Sequence, residues 1–364
     1  MTKIAEKYQV SHFMVFYLIH SLQFGVGVLG FQRIIVKVAG QDAWISVILS
    51  GVFSHIMVWM IYRILRGAEG NIHDIHHRIF GKWLGKGLNL LISLYFTMLA
   101  IGVLRTFIEI IQVWMFPDMN VLIFSILFLA LVYYIVTGGF RVVTGVCFFG
   151  VVLPCYLIIT YFFPLEFAEW VNLFPMFDHS IGEIMEGTKS MALTVLGFEA
   201  LLVYYPFIKN PEKSHKWAHG AIFFTTFLYL LILVITIVFF NEEQLQKNIW
   251  ATLTMWKIVE IPFVERFEYI GIANWNLVIL PNVCLTLWCA SRGIKQTLNI
   301  TQKKTLIIVL ILTLIAVNMF NTREQIDQLN TFMGDVGLCF YLYIPLILFL
   351  QFFLKKIKNQ GGAG

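Results

Sequence analysis

Apolar residues run along this chain in ten blocks, near 10–36, 42–64, 84–115, 120–137, 141–163, 183–207, 218–240, 264–291, 304–320 and 332–354, each closed by a short polar stretch. Most blocks hold the ~20 residues that a helix needs to cross a bilayer; the third and eighth, nearer ~30, predict strongly tilted spans. Pro154, Pro281 and Pro345 lie inside blocks and predict kinks. Two blocks carry an interruption. Phe24-Gly25-Val26-Gly27-Val28-Leu29-Gly30, in the first, sets three glycines in six positions. Each costs a helix roughly 1 kcal/mol relative to alanine, and opened backbone at membrane depth has no water to bond. Such backbone is kept where it lines a cavity, with half-helix ends aimed at one spot. In the sixth block, Gly197 and Glu199 fall at mid-membrane ahead of Pro206. Ten blocks divide as five plus five, and an odd number per half sets the halves in opposite orientations. Interruptions at matching positions of two halves point to a transporter-type site. The pattern therefore predicts an all-α polytopic membrane protein of ten transmembrane helices. They form a five-plus-five inverted repeat, with helices 1 and 6 broken and halves at 1–163 and 164–360.

Composition excludes a soluble domain: of 364 residues 59% are hydrophobic and 13% charged, with mean hydropathy +0.79. The amino terminus has no small-residue cleavage site, so the first block reads as a retained span. Cys147, Cys155, Cys284, Cys289 and Cys339 all lie in apolar runs, which suggests neither a disulfide framework nor a zinc site. A net charge of +5 fits loops facing anionic lipid better than a nucleic-acid partner. With the amino terminus inside, 18 of the 26 basic residues, from Lys3 and Lys7 to Lys358, fall on the inner side. Six fall outside: Arg33, Lys37, Lys247, Lys257, Arg266 and Arg323. That bias predicts both termini in the cytoplasm. The terminal Gly-Gly-Ala-Gly, 361–364, reads as an added tail. The inner loop 71–87 mixes His73, His76 and His77 with isoleucines at helical spacing, suited to the membrane surface. The loop 241–261 predicts a short amphipathic helix over the outer mouth.

Few residues offer chemistry. Glu199 is a carboxylate at membrane depth, which points to function; a cap on the first turn of a half-helix accounts for it equally. Gly25, Gly27, Gly30 and Gly197 serve either as backbone contacts for a ligand or as packing notches. Arg105 and Glu109, four apart on one helix face, suit an internal ion pair, or else a polar track for water or ions. Lys189 lies two turns before Glu199, and Tyr95 and Thr97 stand near mid-depth. So do Asn274, Asn276 and Asn282, whose face should turn inward for interhelical hydrogen bonding or for ligand. The His73, Asp74, His76 and His77 run reads as interfacial residues, not as a metal set. No nucleophile elbow, phosphate loop or HExxH motif is present, so no enzyme and no cofactor are expected.

Three short blocks carry a resemblance: Gly81-Lys82-Trp83-Leu84-Gly85, Leu196-Gly197-Phe198-Glu199 and Glu265-Arg266-Phe267-Glu268. With the overall layout, the chain resembles the amino acid–polyamine–organocation permeases. More narrowly, it resembles their spore germination branch, the permease-like B subunit of nutrient germinant receptors. The resemblance implies broken first and sixth helices, a complex with an A-type membrane subunit and a C-type lipoprotein, and the inner membrane of a bacterial spore. The expected ligand is a small nutrient, an amino acid first, held by Gly25, Val26, Gly27, Gly30, Gly197, Phe198 and Glu199 with Tyr95 and Asn276. N–H groups after Gly27 would take its carboxylate, and carbonyls of both breaks, with Glu199, its ammonium. Binding would favour one of two bundle arrangements. A proton- or ion-coupled amino acid permease and a purely architectural subunit are the other readings. The fifth span lacks the lysine that some proton-coupled permeases use in place of sodium.

Overall fold

The computed structural model describes residues 4–66, 70–262 and 264–361; Lys3 and the tail at 362–364 lie outside the described residues. The first block is split into α1 (Val15–Gln23) and α2 (Phe31–Ala39), joined by a 3-10 turn over Val26–Leu29. There follow α3 (Ala43–Leu65), α4 (Ile72–Trp114), α5 (Val121–Thr137) and α6 (Phe140–Val152). A 3-10 turn containing Pro154 then leads into the single turn α7 (Leu157–Thr160). The sixth block is split into α8 (Ile181–Ser190), α9 (Ala192–Val195) and α10 (Leu201–Tyr204). After α11 (His215–Phe239) come the short α12 (Glu242–Lys247) and α13 (Ala251–Trp256). The long α14 (Phe267–Leu298), α15 (Gln302–Val317) and α16 (Arg323–Gly361) complete the chain. Among the described residues no strand forms beyond two isolated bridges, and six helical stretches are long and apolar enough to cross a membrane.

Local chemistry explains where the helices bend. Pro154 changes the helix type, whereas Pro281 and Pro345 sit inside α14 and α16, which continue through them. Gly81 adopts φ +75°, ψ −173°, with open space around its α-carbon, so the turn there needs glycine for its conformation alone. It divides α4 into a body and an arm at 72–80, whose start is held by a reciprocal Asn71/Asp74 cap. The arm corrects one expectation. His73 and His76 are buried rather than interfacial, because they share the inward stripe of Ile72 and Ile75. Asn89, 2.6 Å from His76 Nδ1, and the Tyr343 hydroxyl satisfy the His76 ring. The loop 241–261 folds as expected into α12 and α13, with Leu245, Leu253 and Trp256 buried.

The core runs along α4 and α14, which pack on each other over most of their length. Around that pair, α1 packs against α6, α11 and α14, and α16 against α3 and α4. The two split segments are joined to each other at both ends. At one end the Val10 N–H donates to Phe207 O and the Lys209 N–H to Val10 O, each at 2.8 Å. At the other, α2 packs on α8, and Ser46 Oγ donates to Ile184 O at 2.8 Å. There the buried Asp42 carboxylate accepts the N–H groups of Phe177, Asp178 and His179 at 2.7, 2.9 and 3.1 Å. The three bonds to Asp42 are charge-assisted and tie the end of the first split segment to the start of the second.

Candidate functional site

Each glycine-bearing interruption is open backbone. Phe24 has φ −114°, ψ 83° and Gly25 φ −129°, ψ −139°; Leu196 has φ −63°, ψ 164° and Gly197 φ +122°, ψ −24°. The two cross in direct contact, because the α-carbon of Gly197 lies against the side chain and backbone of Leu22. A side chain at 197 would meet both the clash and the unfavourable φ.

Side chains from surrounding helices take up the freed carbonyls. The Asn282 amide donates to Ser21 O at 2.5 Å, the Tyr229 hydroxyl to Gln23 O at 2.8 Å and the Trp275 indole to Gly25 O at 3.3 Å. Thr252 donates to Val28 O at 3.0 Å, and the Gln23 amide crosses to Val195 O at 2.5 Å. Buried carbonyls so paired avoid the cost of an unmet acceptor. The donors are different. The N–H groups of Gly25, Val26 and Gly27 meet no acceptor among the described residues. Glu199, buried in the second interruption, is held on both oxygens: Oε1 accepts from the Tyr95 hydroxyl at 2.8 Å and Oε2 from the Gly197 N–H at 2.7 Å. The arrangement sets unpaired donors on one broken segment and a buried carboxyl on the other.

The remaining expected site residues distribute unevenly. Gly25 faces Asn282 and Gly27 faces Thr194, where an added Cβ would come within 3.2 and 3.0 Å of those side chains. Gly30 lies hard against the Ile249 carbonyl, so its lack of a side chain admits the α12–α13 connection. Val26 is half-buried, and Phe198 is buried with its ring edge-on to Tyr341 at 5.7 Å. Asn276 does not reach the interruptions: its amide donates to Ala273 O of its own helix, and Asn274 bonds Ile270 O likewise. Of the three asparagines Asn282 turns inward, two turns further along α14. Arg105 and Glu109 are not bonded to each other. Glu109 pairs with Arg323 at 2.7 Å, and Arg105 donates to Phe320 O at 2.6 Å, because the start of α16 brings both partners alongside α4. Lys189 pairs with Glu186 at the surface, 3.6 Å away. Gln23, Thr194, Tyr229 and Trp275 carry much of the geometry and had not stood out. Gln23, a lone amide one residue before the glycine run, was the recoverable signal; an aromatic donor on a distant helix leaves none.

A cavity of about 50 Å³ adjoins the first interruption, lined by His20, Ser21, Phe24, Tyr161, Trp275 and Val278. It suits a water or two but not an amino acid, and it does not extend to Gly197 or Glu199. The glycines of the two breaks pack instead on side chains: Gly25 on Asn282, Gly27 on Thr194 and Gly197 on Leu22.

A family profile described as spore germination protein matches residues 9–326. Spore germination protein GerQB of Bacillus cereus is 47% identical over 98% of this chain and 99% of its own length. Spore germination protein B2 of Bacillus subtilis (strain 168) is 24% identical over 95% of each. Among solved structures, a substrate-bound Na+-coupled sialic acid symporter in an outward-open state matches 96% of this chain and 82% of its own. Its TM-score is 0.67 at 12% identity. MhsT in complex with L-phenylalanine matches 94% and 88%, with TM-score 0.66 at 12% identity. These last two show a shared fold and nothing more. The relatives are germination proteins and the fold neighbours transporters, rather than enzymes. The chain belongs to the spore germination protein family, as a multi-pass membrane protein of the permease-like receptor B-subunit type.

Proposed function

We propose that this chain is the permease-like subunit of a nutrient germinant receptor and binds a small nutrient, an amino acid first, between its two interruptions. The observation that carries the reading is the trio of unpaired N–H groups at Gly25, Val26 and Gly27, opposite the buried Glu199. A carboxylate suits the first and an ammonium the second. Ten membrane segments in two inverted halves of five, with both termini cytoplasmic in the spore inner membrane, supply the frame. An A-type membrane subunit and a C-type lipoprotein are the partners. The nutrient enters when the joined segments move away from α4 and α14, opening the space that Leu22 and Asn282 now fill. Ligand binding then selects the opened arrangement, which the partners read.

The transporter fold of its structural neighbours favours a second reading, an ion-coupled amino acid permease. Purified protein in liposomes, offered labelled amino acids, separates the two. Saturable binding without accumulation is the result expected of the receptor subunit. Accumulation against a gradient assigns the permease, and neither result, from a protein that still assembles with its partners, assigns an architectural role.

A further inference from the structure

The helix α16 has one face committed to the bundle and one committed to nothing. Ile326, Met333, Phe340, Ile344 and Ile347 are buried against α3, α4 and α9. Its opposite stripe, at spacings of three and four, reads Thr331, Asp335, Cys339, Leu342, Leu346, Phe349. All six are exposed, Leu342 at 78%. Of the six apolar stretches long enough to span a membrane, the one on α16 is the least buried, at 22%. Asp335 is the anomaly on that stripe. Its depth is fixed by its neighbours on the buried side: Met333 packs on Gly102, and the Phe340 ring lies tilted against that of Tyr95 at 4.6 Å, the residue bonded to Glu199. Five residues of helix separate Asp335 from Phe340, about 8 Å along the axis. The carboxylate thus falls within the apolar stretch of α16 on the outward face, at the end of a polar run of Glu324, Asp327, Gln328 and Thr331.

No side chain among the described residues bonds or pairs with the Asp335 carboxylate; the Cys339 thiol donates to its backbone carbonyl. The nearest cation on α16 is Arg323, about 18 Å along the axis, and it already holds Glu109 and Asp327 at 2.7 Å each. An aspartate is too short to snorkel to the interface as lysine and arginine do. Intramembrane carboxylates are costly in lipid and are found paired or facing polar surroundings. We infer that the outward face of α16 is the docking surface for a transmembrane helix of a partner polypeptide, one that carries a lysine or arginine at the level of Asp335. Below that charge pair, the ridge Leu342, Leu346, Phe349 receives the partner's apolar half by side-chain packing. This rests on the membrane placement of α16 and is independent of any nutrient site.

The test uses full-length protein, fluorescently labelled at its amino terminus and reconstituted in vesicles. The probes are polyleucine transmembrane peptides bearing the matching fluorophore: one with a single lysine about five residues off centre, one all leucine and one with glutamate in place of lysine. Energy transfer should report the lysine peptide bound at least about tenfold more tightly than the leucine peptide, with the glutamate peptide weakest. Asp335→Asn, which keeps side-chain shape, should remove that preference while gel filtration and thermal unfolding stay as in the parent. Equal binding of the lysine and leucine peptides, or a preference that survives Asp335→Asn, overturns the proposal. So does self-association that Asp335→Asn abolishes, which would assign the face to a second copy. A further variant checks the surroundings in a background with Cys155 and Cys339 replaced by serine. Asp335→Cys should resist a charged, membrane-impermeant thiol reagent; modification as fast as that of Glu166→Cys places the face in water and overturns the docking site.

Discussion

The Gln23 side-chain amide donates to the carbonyl of Val195 at 2.5 Å, so the last residue of α1 closes the backbone left open at the end of α9. The second interruption therefore depends on the first: separating the two leaves the buried Val195 carbonyl without this donor. Gln23→Ala should lower the unfolding free energy by about 1–3 kcal/mol, the cost of an unmet buried carbonyl. Asn282→Ala should act in the same direction through Ser21. Thermal unfolding in detergent measures both; variants as stable as the parent would mean that these bonds do not matter.

Gly197 and Gly87 make a paired test of backbone against space. Gly197 has φ +122° and rests on Leu22, while Gly87 lies in α4 with nothing near its α-carbon. Gly197→Ala should cost about 1–3 kcal/mol from strain. Gly87→Ala should be neutral or stabilising by up to about 1 kcal/mol, since alanine is the better helix former. Equal effects at the two positions would remove the argument for a required interruption.

The Glu109–Arg323 pair ties α4 to the first turn of α16. A double-mutant cycle of Glu109→Gln and Arg323→Ala should give a coupling of about 1–2 kcal/mol, moderated by the partial exposure of Arg323. The same cycle with Arg105→Ala should give much less, because the Arg105 guanidinium serves the Phe320 carbonyl instead.

Glu199→Gln keeps an acceptor for the Gly197 N–H but removes the ionisable group. Nutrient affinity, read by calorimetry, should fall at least about tenfold, with unfolding free energy shifted by under about 1.5 kcal/mol. Tyr95→Phe should weaken binding less, since Gly197 still fixes one carboxylate oxygen. A Glu199→Gln variant that loses stability and not affinity would return Glu199 to the role of a helix cap.

Helix content and both interruptions were legible in the sequence because they rest on local causes: continuous apolar runs, a three-glycine cluster, and a glycine beside a buried carboxylate. The Tyr95–Glu199 contact was within reach for the same reason, as two polar groups at matching depth have few partners to choose from. Partner choice across the bundle was not legible. Arg105 and Glu109 stand at ion-pair spacing, yet Arg323 on α16 competes for Glu109, and nothing in the spacing of either segment says so. Asn276 and Asn282 differ by six positions, which turns one amide to its own helix and the other to the break; helix rotation is set by packing. The arm at 72–80 took the opposite course from expectation because Asn89, thirteen residues past His76, offers its ring a buried partner.

The account rests on a nutrient held where the two interruptions meet, and Gly27 is the position to probe. A Cβ added there would stand 3.0 Å from Thr194 Oγ1, so Gly27→Leu fills the space a ligand would enter. The direct measurement is a thermal-shift titration of purified protein with a panel of amino acids, sugars and nucleosides, run in parallel on the parent and on Gly27→Leu. The account predicts that at least one amino acid raises the parent's unfolding temperature saturably and leaves the variant's unchanged. Equal stabilisation of both proteins, or a parent that no nutrient in the panel stabilises, would contradict it.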